Sequence, residues 1–264
     1  MGLLKKLKYG IKTLPKSMGM SLLSQDSRIV HMLLGCGPNS IAKRVLLPAT
    51  QMCEERILGF VKEPKKKGQT HLGKVGSLSV SVVSTGIGCP SAAVVLEALH
   101  RADVKTAIRV DFVGGLKDHI DIGDIIIADS AFKGDGTTRH YMGGERIDAN
   151  PELTSLLIQK SKEHGRDAYV GPVWTTDALF RETPELCREA AEKGCIGIDM
   201  ECSAVFTLGK IYGMRTAAIM VVSDNPAAGK SFLNIKKFPP ELLQGLDDAI
   251  KIALDTITSH EGSV

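Results

Sequence analysis

Two acidic residues flank a methionine in the otherwise apolar stretch GIDMECSAVF, residues 197–206. A buried carboxylate is costly unless another group pairs with it, so the triplet Asp199, Met200 and Glu201 needs a partner. If the triplet is extended, both acids point to one side of the chain. One carboxylate can accept hydrogen bonds from two neighbouring hydroxyls, and methionine offers a soft apolar surface. A metal ion requires more nearby ligands than this segment supplies, which leaves a stability device or a ligand with hydroxyl groups.

Two further charged residues stand at the ends of apolar runs. Arg109 lies within AIRVDFVGG, where a lone guanidinium is costly unless it meets a carboxylate or an anionic ligand. A core salt bridge and an anion site both satisfy that requirement. Asp224 follows AAIMVVS, a position that suits a catalytic group or a turn cap with Asn225. Arg56, in EERILGF, has the context of a surface charge.

The turn GIGCPS precedes a helical pattern and leaves backbone N–H groups free at a helix N-terminus, which suits an anion. Its spacing matches neither the GxGxxG of a dinucleotide fold nor a Walker loop. A tight strand-to-helix turn explains it equally well.

Composition excludes several classes of protein. A net charge of +3 over 264 residues is too small to indicate nucleic acid as the main partner. The six cysteines are scattered without a Cys-x-x-Cys pair, which predicts reduced core residues of an intracellular protein. The histidines show no HExxH spacing, which argues against a structural metal site.

From residue 29 onward, apolar runs alternate with helical patterns, which predicts an α/β fold. We expect a single domain with a central mixed, mostly parallel β-sheet flanked by helices. Strands are predicted in RIVHMLLGCG, GSLSVSVVSTG, VKTAIRVDFVGGL, GDIIIADSAFKG, DAYVGPVWTT and RTAAIMVVSDNP. Helices are predicted from near Ser91, in PELTSLLIQKSKEHG, in PELCREAAEKG and from about Pro240 to Ile257. VKEPKKKGQTHLGKVG predicts a basic, hairpin-like solvated connection.

The first 25 residues contain five lysines and no acid, with leucines at helical spacing. They lack an apolar core long enough for a signal peptide or a membrane span. We therefore expect residues 1–28 to be a basic N-terminal extension and residues 29–264 to be the catalytic domain. A transit peptide is the alternative, although such peptides favour arginine over lysine.

Eight short segments, in their order along the chain, resemble one enzyme family. They are GCGP, RILGF, STGIGCPSAAVVLEAL, IRVDFVGGL, GDIIIAD, GDGTTRHY, GIDMECSAVF and VVSDN, between about residue 30 and residue 257. Together they resemble the trimeric and hexameric nucleoside phosphorylases, which include bacterial-type purine nucleoside phosphorylases, uridine phosphorylases and methylthioadenosine phosphorylases. The resemblance implies a phosphorylase/hydrolase-like fold and a pentosyltransferase that cleaves a nucleoside with orthophosphate into free base and ribose 1-phosphate.

By matched position, the resemblance implies a phosphate site made of Arg109, Gly37 and, across a subunit boundary, Arg56. It implies that Glu201 holds the ribose hydroxyls, and that a protonated Asp224 donates to N7 or the 6-substituent of a purine. Asp224, Glu201 and Arg109 are thus the expected catalytic residues. The expected nucleoside-binding residues are Met200, Glu201, Asp199 as a supporting residue, Val113, Gly114, Leu179 and Asp224.

The resemblance also implies partners and surroundings. We expect a homo-oligomer, a hexamer or trimer of dimers, with sites shared between subunits. Nucleoside and phosphate are the expected small-molecule partners, with no metal, organic cofactor, nucleic acid or membrane, in the cytoplasm. Uridine phosphorylases carry a Gln-x-Arg pair where this chain has Thr183 and Glu185 in RETPELC, which favours a purine over a pyrimidine.

Three positions depart from the family's pattern. The family's phosphate loop Gly-Asp-Pro-x-Arg corresponds to CGPNS, in which Ser40 replaces the arginine. Asp111 and Phe112 stand where a glycine and a phosphate-binding hydroxyl are expected. These changes weaken the binding of a dianion by about several kcal/mol unless Lys43 or Arg44 compensates. They keep three alternatives open: a nucleosidase that uses water, a uridine-type phosphorylase, and a non-catalytic nucleoside-binding relative.

Overall fold

Ten strands of the described residues form one mixed sheet, and helices cover both of its faces. The computed structural model describes residues 22–229 and 238–259. The strands are β1 (Arg44–Leu47), β2 (Lys62–Lys67), β3 (Thr70–Val75), β4 (Leu78–Val83), β5 (Thr106–Gly115), β6 (Ile125–Gly134), β7 (Arg146–Asp148), β8 (Ala168–Thr176), β9 (Gly197–Asp199) and β10 (Arg215–Asp224). The helices are α1 (Gln25–Leu34), α2 (Gln51–Leu58), α3 (Cys89–Arg101), α4 (Pro151–Glu163), α5 (Pro184–Glu192), α6 (Cys202–Tyr212) and α7 (Pro240–Ser259).

The sheet closes on itself around five of its strands. Its order is β10-β6-β8-β9-β5-β1-β4-β3-β2, and β10 also pairs in parallel with β5. The strands β5, β10, β6, β8 and β9 therefore form a ring, in which β9 is the short closing strand between β5 and β8. β1 and β4 continue the parallel pairing beyond β5, and the β2–β3 hairpin extends the sheet in antiparallel fashion.

Alternating side chains of the central strands enter two apolar cores. On one face, α1, α3 and α6 pack against residues such as Ala107 and Met220. On the other face, α2, α4 and α7 pack against their sequence neighbours Ile108 and Ile219. Because both faces are covered, the strands read as near-continuous apolar runs in the sequence. The predicted α/β domain with a mixed sheet flanked by helices is confirmed.

One predicted strand is a helix. The segment RIVHMLLGCG was expected to be a strand because its apolar residues are consecutive, but most of it forms α1. The side chain of Ser24 accepts the N–H of Ser27 at the start of the helix, and Gly35 ends it with a left-handed φ of +68°. Val30 and Leu34, spaced by one helical turn, are buried, whereas Met32 is exposed. The boundary predicted after residue 28 therefore falls inside α1, and residues 1–21 of the predicted extension lie outside the described residues.

The predicted basic hairpin is formed by β2 and β3. All six residues of β2 are exposed, and its turn reaches back to α1, where the N–H of Gln69 donates to the carbonyl of Leu34 at 2.8 Å. Within the described ranges, no helix has the length and apolar content needed to cross a membrane.

Gly68→Ala is expected to destabilise the fold more than Gly76→Ala. Both glycines have a φ of +60°, but a Cβ at Gly68 would lie 2.0 Å from the carbonyl oxygen of Leu34, whereas one at Gly76 meets nothing within 4 Å. The left-handed conformation costs alanine about 1 kcal/mol at either site. The steric clash adds at least about 2 kcal/mol at Gly68 alone. Urea unfolding measures both losses, and equal losses would contradict the contact between α1 and the hairpin.

Candidate active site

A cavity of about 340 Å³ lies where β5, β9 and β10 end, beyond the carboxyl edge of the parallel strands. This is the edge at which ligands bind in open α/β sheets. It is lined by Ala49, Thr50, Met52, Ile87, Arg109, Asp111, Phe112, Val113, Gly114, Leu179, Glu182, Ile198, Asp199, Met200, Glu201, Ser223, Asp224 and Phe238. Apolar walls with a few converging charged groups are typical of a small-molecule site.

Asp199 supports the site from the closing strand β9. Its Oδ2 accepts the N–H groups of Glu201 at 3.1 Å and Cys202 at 2.8 Å, so that it caps the start of α6. Its Oδ1 accepts the hydroxyl of Thr175 at 2.7 Å. The same Oδ2 lies 3.3 Å from Nε of Arg109. Asp199 therefore connects β8, α6 and the arginine of β5, which identifies the partner that the sequence left unnamed.

Glu201 makes the closest contact with the arginine. Its Oε2 lies 2.5 Å from Nη2 of Arg109, and its Oε1 accepts the N–H of Gly88 at 2.7 Å. The side chains of Glu201 and Arg109 are each only 3% exposed. Gly88 belongs to the turn GIGCPS, so this turn binds an anion of the protein itself.

Burial and charge act in opposite directions on these groups. Burial alone lowers the pKa of Arg109, but the charges of Glu201 and Asp199 outweigh it and raise the pKa above its ordinary value. Burial raises the pKa of Glu201 to about 7, although Arg109 opposes that shift and Asp199 adds to it. Nη1 of Arg109 is also buried, and no group in the described part of the chain accepts a hydrogen bond from it. Arg109 can therefore still bind an acceptor on a ligand.

Asp111 faces the same cavity from β5, with its carboxylate at the loop that leads into α2. It accepts the N–H groups of Ala49 and of Thr50, the latter at 2.9 Å. It also accepts the hydroxyl of Thr50 at 3.2 Å and the N–H of Phe112 at 2.8 Å. At only 2% exposed, Asp111 is a fully engaged internal anion.

Two more carboxyl groups, those of Asp224 and Glu182, line the cavity. Asp224, at the end of β10, is buried and its Oδ1 accepts the hydroxyl of Ser223 at 2.9 Å. Glu182 is half-buried, and burial raises its pKa to about 7, with further contributions from the charges of Asp224 and Asp199. The cavity lining thus includes one cationic group and five carboxyl groups.

The structure brings most of the predicted site residues together. Those that line the cavity are Arg109, Val113, Gly114, Leu179, Asp199, Met200, Glu201 and Asp224. Arg56 and Gly37 are not among the lining residues. Arg56 instead forms a two-point ion pair with Asp247 of α7, with contacts of 2.5 and 2.7 Å, and Gly37 lies against the ring of His31. Lys43, proposed as a compensating cation, pairs with Asp103.

Two features of the site were missed from the sequence. Of the segment RETPELC, Glu182 lines the cavity, whereas Thr183 caps α5 and Glu185 is an exposed partner of Arg188. The Ala49–Thr50 loop before α2 was not assigned a role either. Its signal is a threonine N-cap directly after an apolar strand end, which also occurs in ordinary strand-to-helix turns.

A possible metal-ligand cluster and a second cavity lie outside this site. Ligand atoms of Cys89, Asp135 and Asp177 lie within 4.8 Å of one another. The oxygens of Asp135 already accept hydrogen bonds from Thr138 and Ser203, so the cluster is satisfied by protein groups. The second cavity, of about 590 Å³, is lined in part by α4 and α6. Although it is larger, it lacks a buried arginine with converging acids, and we assign the reaction to the smaller cavity.

A buried arginine held between two carboxylates, at the carboxyl edge of a closed mixed sheet, defines a site for a small ligand with anionic and hydroxyl groups. The family model described as "Phosphorylase superfamily" matches residues 46–257. The chain therefore belongs to the phosphorylase superfamily, and the predicted family membership is confirmed.

Relatives within the family carry several substrate names. The chain is 32% identical to the guanosine phosphorylase of Halorubrum lacusprofundi over 68% of this chain and 76% of the relative. It is 31% identical to a DeoD-type purine nucleoside phosphorylase of Clostridium novyi over 75% and 88%. It is 30% identical to the uridine phosphorylase of Thermococcus kodakarensis over 73% and 76%. The fold is similar to that of uridine phosphorylase from Vibrio fischeri, with a TM-score of 0.76 at 24% identity, covering 85% of this chain and 95% of that one.

Glu182→Gln is expected to stabilise the protein at pH 8 but not at pH 5. Burial raises the pKa of Glu182 from its ordinary 4.5 to about 7, so the folded state holds a proton that the unfolded chain releases. The stability of the natural protein therefore falls as the pH rises through this interval. Glutamine cannot ionise, so the variant avoids this loss of about 1 to 3 kcal/mol. Thermal unfolding at both pH values measures the difference. Glu185→Gln, at an exposed position of the same segment, is the control. The same gain at both pH values would show that Glu182 is ionised in the cavity.

Proposed function

We propose that this protein catalyses the phosphorolysis of the N-glycosidic bond of a purine nucleoside, giving free base and ribose 1-phosphate. The observation that supports this most strongly is Arg109, a buried guanidinium that lines the cavity with Glu201 and Asp199 around it. An arginine of this kind binds phosphate oxygens, while the carboxylate beside it accepts sugar hydroxyls. The names of the relatives support the same reaction.

The reaction requires side chains that bind the sugar, bind the phosphate and protonate the leaving base. Glu201 holds the ribose hydroxyls: both of its oxygens already accept one protein hydrogen bond, but a carboxylate has about four lone-pair positions. Arg109 binds the phosphate, whose negative charge stabilises the oxocarbenium-like sugar before it attacks the anomeric carbon. Asp224, which also lines the cavity, donates a proton to the leaving base. The fixed positions of sugar and phosphate keep nucleophile and leaving group in line.

A purine is the base that the site suits best. The carboxyls of Asp224 and Glu182 both line the cavity, and a carboxyl can accept from an N–H group or, when protonated, donate to N7. Leu179 and Phe238 add apolar surface for a flat ring.

Hydrolysis is the second candidate function, and the hydrogen bonds of Asp111 favour it. The carboxylate occupies main-chain donors beside Arg109 that a phosphate ion could otherwise use. A nucleosidase of this fold would use water in place of phosphate.

We propose a homo-oligomer whose subunits share sites, acting in the cytoplasm without a metal or organic cofactor. Ile87 and Phe238, which line the cavity, are 60% and 49% exposed, and neighbouring Phe180 is 77% exposed. A partner subunit over this edge would cover them. Sedimentation velocity measures the subunit number, and a monomer at assay concentrations would contradict the proposal.

Base release from inosine, adenosine or guanosine is expected to require phosphate and to yield ribose 1-phosphate. Methylthioadenosine and uridine serve as comparison substrates, with each reaction run with and without phosphate at equal ionic strength. Liquid chromatography measures the free base, and phosphorus NMR identifies the sugar phosphate. Equal base release without phosphate, with free ribose as product, would establish hydrolysis instead.

A variant of Asp224 tests the acid within the same assay. Asp224→Asn keeps the size of the side chain but cannot supply the proton, so kcat is expected to fall at least about a hundredfold. KM for the nucleoside should change far less. The exposed Asp118→Asn is the control for a lost carboxylate. A comparable loss in KM and kcat would show that Asp224 only binds the nucleoside.

A further inference from the structure

The carboxylate of Asp111 lies in a set of hydrogen-bond donors of the kind that bind anions. Two consecutive main-chain N–H groups, from Ala49 and Thr50, and the hydroxyl of Thr50 converge on it. They precede the eight-residue helix α2, whose N-terminal end favours negative charge. The donors would bind a phosphate oxygen equally well, but the protein's own side chain is already bound there.

This internal anion is close enough to act on the catalytic cluster. Its negative charge contributes to raising the pKa of both Arg109 and Glu201. Ala49, Thr50, Asp111 and Arg109 all line the cavity. Around the single guanidinium stand three carboxylates, those of Asp111, Asp199 and Glu201, so the nearby charge is already negative before a ligand enters.

Asp199 and Glu201 have tasks that Asp111 lacks. Asp199 caps α6 and Glu201 contacts Arg109 and Gly88, whereas the hydrogen-bond partners of Asp111 are the Ala49–Thr50 loop, the Cys53 thiol in α2 and its own neighbour Phe112. Phe112 follows it on β5 with an apolar side chain in the same cavity. Asp111 and Phe112 thus place a carboxylate and an aromatic ring where a phosphate ion would need hydrogen-bond donors.

We propose that Asp111 limits phosphate binding by occupying part of the phosphate subsite with its own carboxylate. Resting on the proposed function, this inference makes phosphate a weak ligand of the natural sequence. Removal of the carboxylate frees the two N–H groups, the Thr50 hydroxyl and more of the positive field of Arg109 for an incoming dianion.

Two variants and a matched control test the proposal. Asp111→Asn keeps the size and one acceptor oxygen while losing the charge, and Asp111→Ala empties the subsite. Asp103→Asn removes a carboxylate that is paired with Lys43 and Lys105, just before the start of the same strand β5. Its φ of +60° is one that asparagine tolerates. Isothermal titration calorimetry with inorganic phosphate, in a phosphate-free buffer at constant ionic strength, measures affinity without requiring turnover.

Asp111→Asn is expected to bind phosphate at least about tenfold more tightly than the natural protein, with Asp111→Ala tighter still and Asp103→Asn unchanged. In the base-release assay, the phosphate concentration that gives half-maximal base release should fall by a similar factor in Asp111→Asn. If the alanine variant does not fold, the asparagine variant alone decides.

Phosphate affinity in Asp111→Asn no higher than in the natural protein would overturn the proposal, because Asp111 would then only fasten the loop to β5. Equal gains in Asp111→Asn and Asp103→Asn would also overturn it, since net charge alone would explain them. A failure of the proposed function is recognised separately. In that case, no nucleoside releases base in any variant, while the titrations still report on the subsite.

Discussion

The ion cluster of Arg109, Asp199 and Glu201 is the constraint around which the site is built. A guanidinium with 3% exposure cannot remain inside a sheet without carboxylates, and the two carboxylates cannot remain there without it. The loss of Arg109 would leave two buried carboxylates without a cation, and breaking a buried ion pair in this way costs about 3 to 5 kcal/mol. The same geometry shields these three charged groups from water and holds them where a ligand could contact them. The groups that stabilise this part of the fold are therefore the same groups that line the cavity.

The ring of strands places those charges. β9 contains three residues, yet it pairs with both β5 and β8 and closes the sheet at the point where Asp199 leaves it. Gly114 and Gly197 allow this closure, because a Cβ at either would meet atoms of Ile198 or Val113 at less than 3.0 Å. Asp199 then caps α6 and turns the chain so that Glu201 reaches Arg109. The short strand β9 and the cap of α6 thus position Glu201 within contact distance of Arg109 on β5.

Much of the fold could be predicted because the buried strands leave continuous apolar runs, as in β5 and β10. The same signal failed for α1, where consecutive apolar residues concealed a helix whose caps, Ser24 and Gly35, carried the information. The acids and the arginine of the site stood out because charge inside an apolar run demands a partner. Glu182 did not stand out, since the charges that add to the rise of its pKa are those of Asp224 and Asp199, which follow it by 42 and 17 positions in the chain. Gly37 is not among the residues that line the cavity, and its position depends on contacts between segments far apart in the chain, which spacing along the sequence does not reveal.

The lysine-rich β2–β3 hairpin affects how copies of this protein can associate. β2 is an edge strand, and one row of its backbone donors and acceptors faces away from β3. A strand from another molecule could pair with that row. Four lysines, a glutamate and a proline occupy its six exposed positions. Repulsion between like charges and the missing N–H of Pro64 make strand addition unfavourable there. The edge of the sheet is thereby protected against the addition of strands from other molecules.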